Sequence, residues 1–151
     1  MRYHARGEAD RMIVGMNRAV EHEGRQFLVQ VEDLGEAHAC FAVRLHEGGG
    51  IRWSKQVDYR GILGRGLPKD EQDDAVRESM EKTLHTVQAA IAGGGRDDEI
   101  DLYGRPGSYP RLMDRRAIGR PCPTCGAAVE KIQYLGGACT FCPRCQSGDV
   151  R

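Results

Sequence analysis

Six cysteines occur in this 151-residue chain, and four of them form two Cys-x-x-Cys pairs. Cys122 and Cys125 make the first pair, and Cys142 and Cys145 follow after sixteen intervening residues. Two such pairs at this separation are typical of a four-cysteine zinc site. Four thiolates complete a tetrahedral shell around one zinc ion and leave no position for a substrate water, so the predicted zinc is structural. Two redox dithiols or two disulfides are the alternatives.

A short β-hairpin is expected between the two cysteine pairs. Gly136-Gly137 offers a turn, and Phe141 leads back into the second pair. Glycines between two short apolar runs are typical of a hairpin. The apolar run before the turn consists of Val129, Ile132, Tyr134 and Leu135. The sequence therefore predicts a four-cysteine zinc ribbon over residues 120–148.

The N-terminal part of the chain shows the period-two hydrophobic alternation of β-strands. Val29 alternates with polar neighbours in one run, and Phe41 and Val43 belong to the next. Four such runs, the first over about residues 13–21, are joined by short turns, which indicates an antiparallel meander with one buried face. Trp53, in the fourth run, is expected in the core.

One amphipathic helix follows the meander. Its apolar stripe recurs at steps of three and four residues and consists of Val76, Met80, Leu84, Val87 and Ile91. Asp70 is the expected N-cap, and Gly93-Gly94-Gly95 should end the helix because glycine readily adopts the left-handed conformation. The predicted fold class is α+β: a small antiparallel β-meander with one packed helix over residues 1–95, a linker over 96–119, and the C-terminal zinc ribbon.

Charge is unevenly distributed along a chain whose formal net charge is zero. Residues 105–151 carry a net charge of +5, and the first 104 residues carry −5. The basic part has the charge to approach a polyanion such as nucleic acid, whereas the acidic part does not. No apolar run approaches the ~20 residues of a membrane-spanning helix. Since no signal-peptide core is evident at the start either, a cytoplasmic protein is expected.

The residues around the cysteines resemble those of a known family. The order Arg120-Pro121-Cys122, then Gly126, then Phe141-Cys142-Pro143-Arg144-Cys145-Gln146 is similar to the C-terminal zinc finger of the formamidopyrimidine-DNA glycosylase and endonuclease VIII family. The likeness extends back to about residue 80, because the helix, its Gly-Gly end and a Gly-x-x-Gly turn follow the order found before that finger in the family. A generic helix followed by a glycine-rich linker would give the same order.

The resemblance implies a DNA-binding part without the catalytic part. The family's glycosylases cleave with an N-terminal proline that methionine removal exposes, whereas here Met1 is followed by Arg2, and a long second residue blocks that removal. The family's catalytic domain has no counterpart in the meander. The family also places a DNA-contacting arginine on the hairpin, where this sequence has Gly136-Gly137-Ala138-Cys139-Thr140. The resemblance therefore implies a non-enzymatic relative whose duplex contact differs from that of the family.

A zinc-ribbon nucleic-acid-binding protein without enzymatic activity is the leading hypothesis. Contacts to backbone phosphates give affinity without sequence selectivity, and DNA and RNA are equally open as partners. Six basic residues in and before the ribbon are expected to make these contacts: Arg111, Arg115, Arg116, Arg120, Lys131 and Arg144. The alternative is a protein–protein interaction or assembly module in which zinc is purely structural. The acidic N-terminal part and the missing hairpin arginine favour that alternative.

The remaining reactive side chains form no recognisable site. The five histidines are scattered, and no acid, base and nucleophile cluster in the sequence. Neither a catalytic residue nor a small-molecule substrate is therefore predicted. Cys40 is expected to be a core thiol, and Cys139 is expected to be a neighbour of the zinc site.

Overall fold

The computed structural model describes residues 12–134 and 136–146. Its elements in chain order are β1 (Met16–His22), β2 (Arg25–Asp33), β3 (Cys40–Glu47), β4 (Gly50–Asp58), α1 (Arg60–Leu63), α2 (Lys69–Ala92), β5 (Glu130–Tyr134) and β6 (Gly137–Phe141). β1 to β4 form an antiparallel sheet in sequential order, and β5 and β6 form a separate antiparallel hairpin. The predicted α+β class, a meander with one packed helix and a C-terminal ribbon, is confirmed. The expectations that concern Met1, Arg2, Leu135 and residues 147–148 lie outside the described residues.

The buried face of the sheet follows from the alternation in β2 and β3. Val29 and Val31 are fully buried, and Val31 pairs with Val43 across the β2–β3 ladder. Directly opposed residues of an antiparallel pair share a face, so the apolar positions of neighbouring strands combine into one surface. The first strand begins at Met16 rather than near residue 13.

Helix α2 covers that surface with its apolar stripe. Val76, Met80 and Leu84 are buried in the same core cluster as the sheet valines. The helix begins at Lys69, and Pro68 precedes it with extended geometry (φ −52°, ψ 150°). The prediction that Asp70 caps the helix is therefore wrong: Asp70 lies within the first turn, where a carboxylate still suits the positive end of the helix dipole.

The prediction that Trp53 lies in the core is wrong. Its side chain is 44% exposed on β4, which forms one edge of the sheet. Helix α2 packs mainly over β1 and β2, at the opposite edge. The β3–β4 register also shifts between Leu45 and His46, whose partners are Trp53 and Ile51. A bulged edge strand outside the area covered by the helix has nothing against which to bury an indole.

One carboxylate is buried inside the first core. The Asp33 side chain, 4% exposed, accepts hydrogen bonds from the backbone N–H of Ile13 at 2.9 Å and of Gly35 at 3.1 Å. The Tyr59 hydroxyl also donates to it at 2.9 Å. A buried carboxylate needs such donors. The three bonds also hold together the chain before β1, the turn after β2 and the end of β4.

The segment after α2 folds back onto the helix end. Backbone N–H groups of Ser108 and Tyr109 donate to the carbonyls of Gly93 at 2.8 Å and Gly95 at 3.0 Å. A Cβ on Gly107 would lie 2.4 Å from the Gly95 carbonyl, so only glycine permits this approach. Part of the predicted linker over residues 96–119 is thus a hydrogen-bonded loop. The division of the chain into 1–95, 96–119 and 120–148 stays a prediction.

The described residues contain two core clusters that share no side chain. The first lies between the sheet and α2, and the second consists of Cys122, Val129 and Cys142 with Met113, Ala117, Cys125 and Ala127 packed against them. The second cluster is small, so the ribbon depends on additional stabilisation such as a metal. No helix in the described part of the chain combines the length and the hydrophobicity that crossing a membrane requires.

Candidate metal centre

The structure brings the four predicted cysteines together. The Sγ atoms of Cys122, Cys125, Cys142 and Cys145 all lie within 4.8 Å of one another. Cys125 and Cys142 are 3.4 Å apart at their sulfurs, and Cys122 and Cys145 are 3.9 Å apart. A tetrahedral ion with Zn–S bonds of ~2.3 Å places its sulfurs about 3.8 Å apart. The donor set and its spacing fit one structural zinc ion, as predicted.

Tight backbone turns position the sulfurs. In the first pair, the Gly126 N–H donates to the Cys122 carbonyl at 2.8 Å, and Gly126 has φ +74°. The Cys122 N–H donates to the Ala127 carbonyl at 2.8 Å, which closes the turn. In the second pair, the Gln146 side chain accepts from the Cys142 N–H at 2.8 Å. The Cys145 N–H points at the Cys142 sulfur at 3.4 Å. Backbone donors thus face the sulfurs, as a thiolate shell requires.

Cys122 and Cys145, one thiol from each pair, have opposite pKa shifts. Hydrogen bonds from the backbone N–H groups of Thr124 and Cys125 lower the pKa of Cys122 to about 6. Hydrogen bonding to the Cys125 thiol, together with burial, raises the pKa of Cys145 to about 12. Without a cation, four crowded sulfurs cannot all carry negative charge. A bound divalent ion removes that obstacle, because a coordinating thiol is deprotonated.

Two of the six predicted nucleic-acid contacts are engaged in ion pairs. Arg111 Nε lies 2.7 Å from Asp97 Oδ1, and its Nη1 lies 2.8 Å from Asp98 Oδ2. Arg116 Nη2 lies 2.5 Å from Asp97 Oδ2, and its Nε lies 2.6 Å from Asp114 Oδ2. Asp97 therefore joins the loop after α2 to the segment that leads into the ribbon.

The other four basic residues remain exposed around the metal centre. Within residues 12–134 and 136–146, no ion pair engages Arg115, Arg120, Lys131 or Arg144. Lys131 lies on β5, and Arg144 lies between the two cysteines of the second pair. These four side chains are free to meet an anionic partner.

Asp97 makes the stability of the contact between the loop after α2 and the segment before the ribbon depend on pH. Hydrogen bonds from Arg116 and then Arg111 lower the pKa of Asp97 from 3.8 to about 2. A carboxyl whose pKa is lowered on folding stabilises the fold above its unfolded pKa and loses that effect as the pH falls towards its folded pKa. Asp97→Asn should therefore be less stable than wild type at pH 7, and the difference should shrink between about pH 4 and pH 2.

Urea unfolding at several pH values measures that difference. Zinc content is measured at each pH, because loss of the metal would unfold the ribbon that follows Arg111 and Arg116. Asp74→Asn is the matched control, since the nearest cation, Arg77, lies 3.5 Å away in an exposed pair. A stability difference for Asp97→Asn that stays constant from pH 7 to pH 2 would contradict a stabilising role for the ionised Asp97 carboxylate.

A cavity adjoins the metal centre on the side of the ion pairs. Its volume is about 360 Å³, and Arg111, Arg116 and Arg120 line it together with Asp97 and Asp114. The apolar part of its wall includes Leu112, Ala117, Pro121 and Val129. We refer to this cavity as the arginine cleft. Its size falls within the range of sites that bind small molecules or single side chains.

Sequence reasoning missed the carboxylates that neutralise two of the arginines. Asp97, Asp98 and Asp114 lie in segments without a periodic pattern, and only the fold of the loop after α2 brings the first two near Arg111. The two remaining cysteines differ from each other. Cys40 is buried, as expected, whereas Cys139 is exposed on β6 and is not a member of the four-cysteine cluster.

Comparison with known proteins finds relatives for about half of the chain. A formamidopyrimidine-DNA glycosylase from Thermomicrobium roseum is 38% identical over 74 residues, which cover 46% of this chain and 26% of the relative. A formamidopyrimidine-DNA glycosylase from Corynebacterium urealyticum is 31% identical over 80 residues, which cover 50% of this chain and 27% of the relative. This chain is partly similar to formamidopyrimidine-DNA glycosylases.

The similarity is confined to part of each protein. The glycosylase from Lactobacillus acidophilus is 40% identical over 69 residues, which cover 44% of this chain and 25% of the relative. The chain thus spans about a quarter of the length of the glycosylases it matches. No family model matches the chain, and no solved structure matches it. Similarity to part of these glycosylases thus accompanies a four-cysteine cluster whose spacing fits one zinc ion.

Proposed function

We propose that this protein binds nucleic acid through its zinc ribbon, by contacts to backbone phosphates, and that it catalyses no reaction. The observation that carries the proposal is a set of exposed cations, in the ribbon and in the segment that leads into it, that have no ion pair among the residues the structure describes: Arg115, Arg120, Lys131 and Arg144. Partial similarity to proteins named as DNA glycosylases supports the same function. Zinc fixes the ribbon that presents these cations, while the ribbon's cysteines fill its coordination shell.

The ion pairs divide the six predicted contact residues into two groups. Arg115, Arg120, Lys131 and Arg144 are the phosphate contacts that we propose. Arg111 and Arg116 instead hold the approach to the ribbon in place through Asp97, Asp98 and Asp114. Moving either arginine towards a phosphate would break its hydrogen bonds to these carboxylates, so we expect these two residues to contribute less to affinity than the other four.

The salt dependence of binding tests this assignment. With four phosphate contacts, the slope of log affinity against log salt should be about −3.6 on duplex DNA and about −2.8 on a single strand. The double variant Arg115→Ala, Arg120→Ala should reduce the duplex slope by about 1.8 and weaken all sequences alike. Fluorescence anisotropy with labelled duplex and single-stranded oligonucleotides at several salt concentrations measures both slopes.

A matched control is available on the N-terminal part of the chain. Arg18 and Arg65 are exposed and have no ion pair among the described residues. The double variant Arg18→Ala, Arg65→Ala removes the same charge and should leave the slope unchanged. An equal loss of slope in both double variants would mean that binding follows net charge rather than the ribbon, and would refute the proposed contacts.

The absence of glycosylase activity is a separate part of the proposal. The matched region covers only 23–28% of the glycosylases compared, so the similarity does not carry their activity over to this chain. Borohydride treatment of the protein with an oxidised-purine or abasic duplex should therefore trap no covalent adduct. A trapped adduct would show that an amine of this chain attacks the sugar, and would contradict this part of the proposal.

A protein–protein interaction module is the second candidate. The ion pairs of Arg111 and Arg116 and the net charge of −5 over the first 104 residues favour it. If the wild-type protein retains no nucleic acid at ~50 mM salt, where phosphate contacts are strongest, this second candidate becomes the better account. We propose the cytoplasm for either function, because reduced, metal-bound cysteines suit a reducing compartment.

A further inference from the structure

An exposed tryptophan lies at the edge of the four-stranded sheet, on the same face as the core. Trp53 on β4 is opposite Leu45, and Leu45 is opposite the fully buried Val29. Directly opposed residues of an antiparallel pair share a face, so the indole belongs to the face that α2 partly covers. Because α2 packs mainly over β1 and β2, this end of the face stays open and Trp53 is 44% exposed.

Two arginines beside Trp53 keep hydrogen-bond donors free. The Nε atoms of Arg25 and Arg52 lie 2.7 Å and 3.0 Å from the two carboxylate oxygens of Glu47. Among the described residues these pairs use only Nε, so the Nη groups of both guanidiniums keep their donors for another anion. The side chains of Arg25 and Arg52 are 61% and 65% exposed and that of Glu47 is 16% exposed, so a ligand meets the guanidiniums first.

Cations outnumber carboxylates on this face of the sheet. The strand register and the Arg52–Glu47 pair place four cations and two carboxylates on it, which leaves +2: Arg18, Arg25, Arg52 and Lys55 against Asp33 and Glu47. Lys55 is exposed and has no ion pair in the described part of the chain. The Arg25 guanidinium also lies over the Phe27 ring at 5.1 Å. We refer to Phe27, Leu45 and Trp53, together with Arg25, Arg52 and Lys55, as the Trp53 face.

The main acidic group of the N-terminal part lies away from Arg25. Helix α2 has six carboxylates and three basic residues, and four of the carboxylates lie between positions 70 and 74, in its N-terminal end. That end contacts Glu36 through Lys69. The other end approaches β1, because a Cβ on Gly94 would lie 3.1 Å from His22 Nε2, and His22 is opposite Arg25. The negative charge of this part of the chain is therefore not concentrated beside the Trp53 face.

We propose that the Trp53 face binds a single-stranded stretch of nucleic acid, with one base stacked on the indole and adjoining phosphates on Arg25, Arg52 and Lys55. This rests on the proposed function and adds a second contact surface outside the ribbon. An indole stacks on a base whose face is free, which an intact duplex does not offer. A second copy pairing along β4 is disfavoured, because the strand carries a bulge and a lysine at the sheet edge.

The fluorescence of Trp53 tests the proposal, because Trp53 is the single tryptophan of the chain. Oligothymidine of about ten nucleotides should quench the wild-type emission at ~50 mM salt, whereas a duplex should not. The quenching should persist in the ribbon variant Arg115→Ala, Arg120→Ala. Lys55→Ala keeps the fluorophore and should reduce the salt slope of the quenching midpoint by about 0.7.

Loss of the indole should weaken binding directly. In the background of that ribbon variant, Trp53→Ala should weaken the binding of labelled oligothymidine by about 5- to 150-fold, measured by fluorescence anisotropy. Leu28→Ala is the matched control and should bind as before, because Leu28 is 40% exposed and lies on the opposite face of the sheet. Circular dichroism and zinc content check that the variants remain folded.

Three results would overturn the proposal: oligothymidine that leaves the wild-type emission unchanged, equal losses in Trp53→Ala and Leu28→Ala, or equal quenching by oligoglutamate, which would assign the face to an acidic protein partner. If the wild type still binds duplex DNA in any of these cases, the ribbon keeps its proposed function and only the Trp53 face is excluded. If neither duplex nor single strand binds, both proposals fail.

Discussion

Cys125→Ser is expected to unfold the ribbon and to leave the four-stranded sheet and α2 folded. The substitution removes one of four thiolates from a metal shell, and structural zinc sites of this kind supply ~10–16 kcal/mol of apparent binding free energy. The cluster around Cys122, Val129 and Cys142 is too small to hold β5 and β6 together without the metal. The sheet and α2 keep their own core, which includes none of the ribbon residues that the structure describes.

Zinc analysis and near-complete backbone NMR assignment measure this outcome. The variant should bind well under one equivalent of zinc, and amide dispersion should collapse only for residues near and within the ribbon. Cys139→Ser is the matched control, since Cys139 is exposed outside the metal cluster and its replacement should retain full zinc. Simultaneous loss of structure in the sheet would show that both units unfold cooperatively, contrary to the account.

Asp33→Ala is expected to destabilise the N-terminal unit by ~3 kcal/mol or more. The substitution removes the buried acceptor of the Ile13 and Gly35 backbone N–H groups, and it also removes the carboxylate to which the Tyr59 hydroxyl donates. Each buried donor left without a partner costs ~1–3 kcal/mol. Loss of the bond to Ile13 also releases the segment that packs this residue into the core.

Urea unfolding monitored by far-ultraviolet circular dichroism gives the free energy of unfolding. Tyr59→Phe removes only the hydroxyl and leaves the Asp33 carboxylate with its two backbone donors, so its cost should be ~0.5–1.5 kcal/mol. If Asp33→Ala lowers the free energy of unfolding no more than Tyr59→Phe does, water replaces the carboxylate. That result would contradict the role of Asp33 as a buried acceptor shielded from water.

The parts of the fold that sequence alone predicts are those with local periodicity or fixed spacing. The alternation around Val29 and Val31 places them on the buried face, and the stripe through Met80 places one face of α2 against them. The two cysteine pairs predict both the metal cluster and the hairpin between them. In each case the physical cause acts over a few neighbouring residues.

The parts that sequence does not predict depend on which elements lie side by side. Trp53 has the pattern of a core residue, but α2 crosses the opposite edge of the sheet and leaves β4 exposed. Asp33 has the sequence context of a turn, and only the approach of Tyr59 and Ile13 makes it a buried acceptor. Long-range proximity of this kind has no local signature in the chain.

The same limit applies to the candidate site. Arg111 and Arg116 have the same sequence context as Arg115, yet only the first two meet carboxylates from the loop after α2. That loop depends on the close approach of Gly107 to Gly95, which a sequence reading cannot distinguish from a flexible linker. Charge counts therefore predict a basic region but do not separate free cations from paired ones.

Duplex DNA binding by zinc-loaded and zinc-stripped protein at ~50 mM salt tests the central claim most directly. We expect binding by the loaded protein, its loss when a chelator removes the metal, and its recovery when zinc is restored, because zinc fixes the ribbon that presents Arg120, Lys131 and Arg144. Equal affinity with and without zinc, or no binding by the loaded protein at this salt concentration, would contradict it.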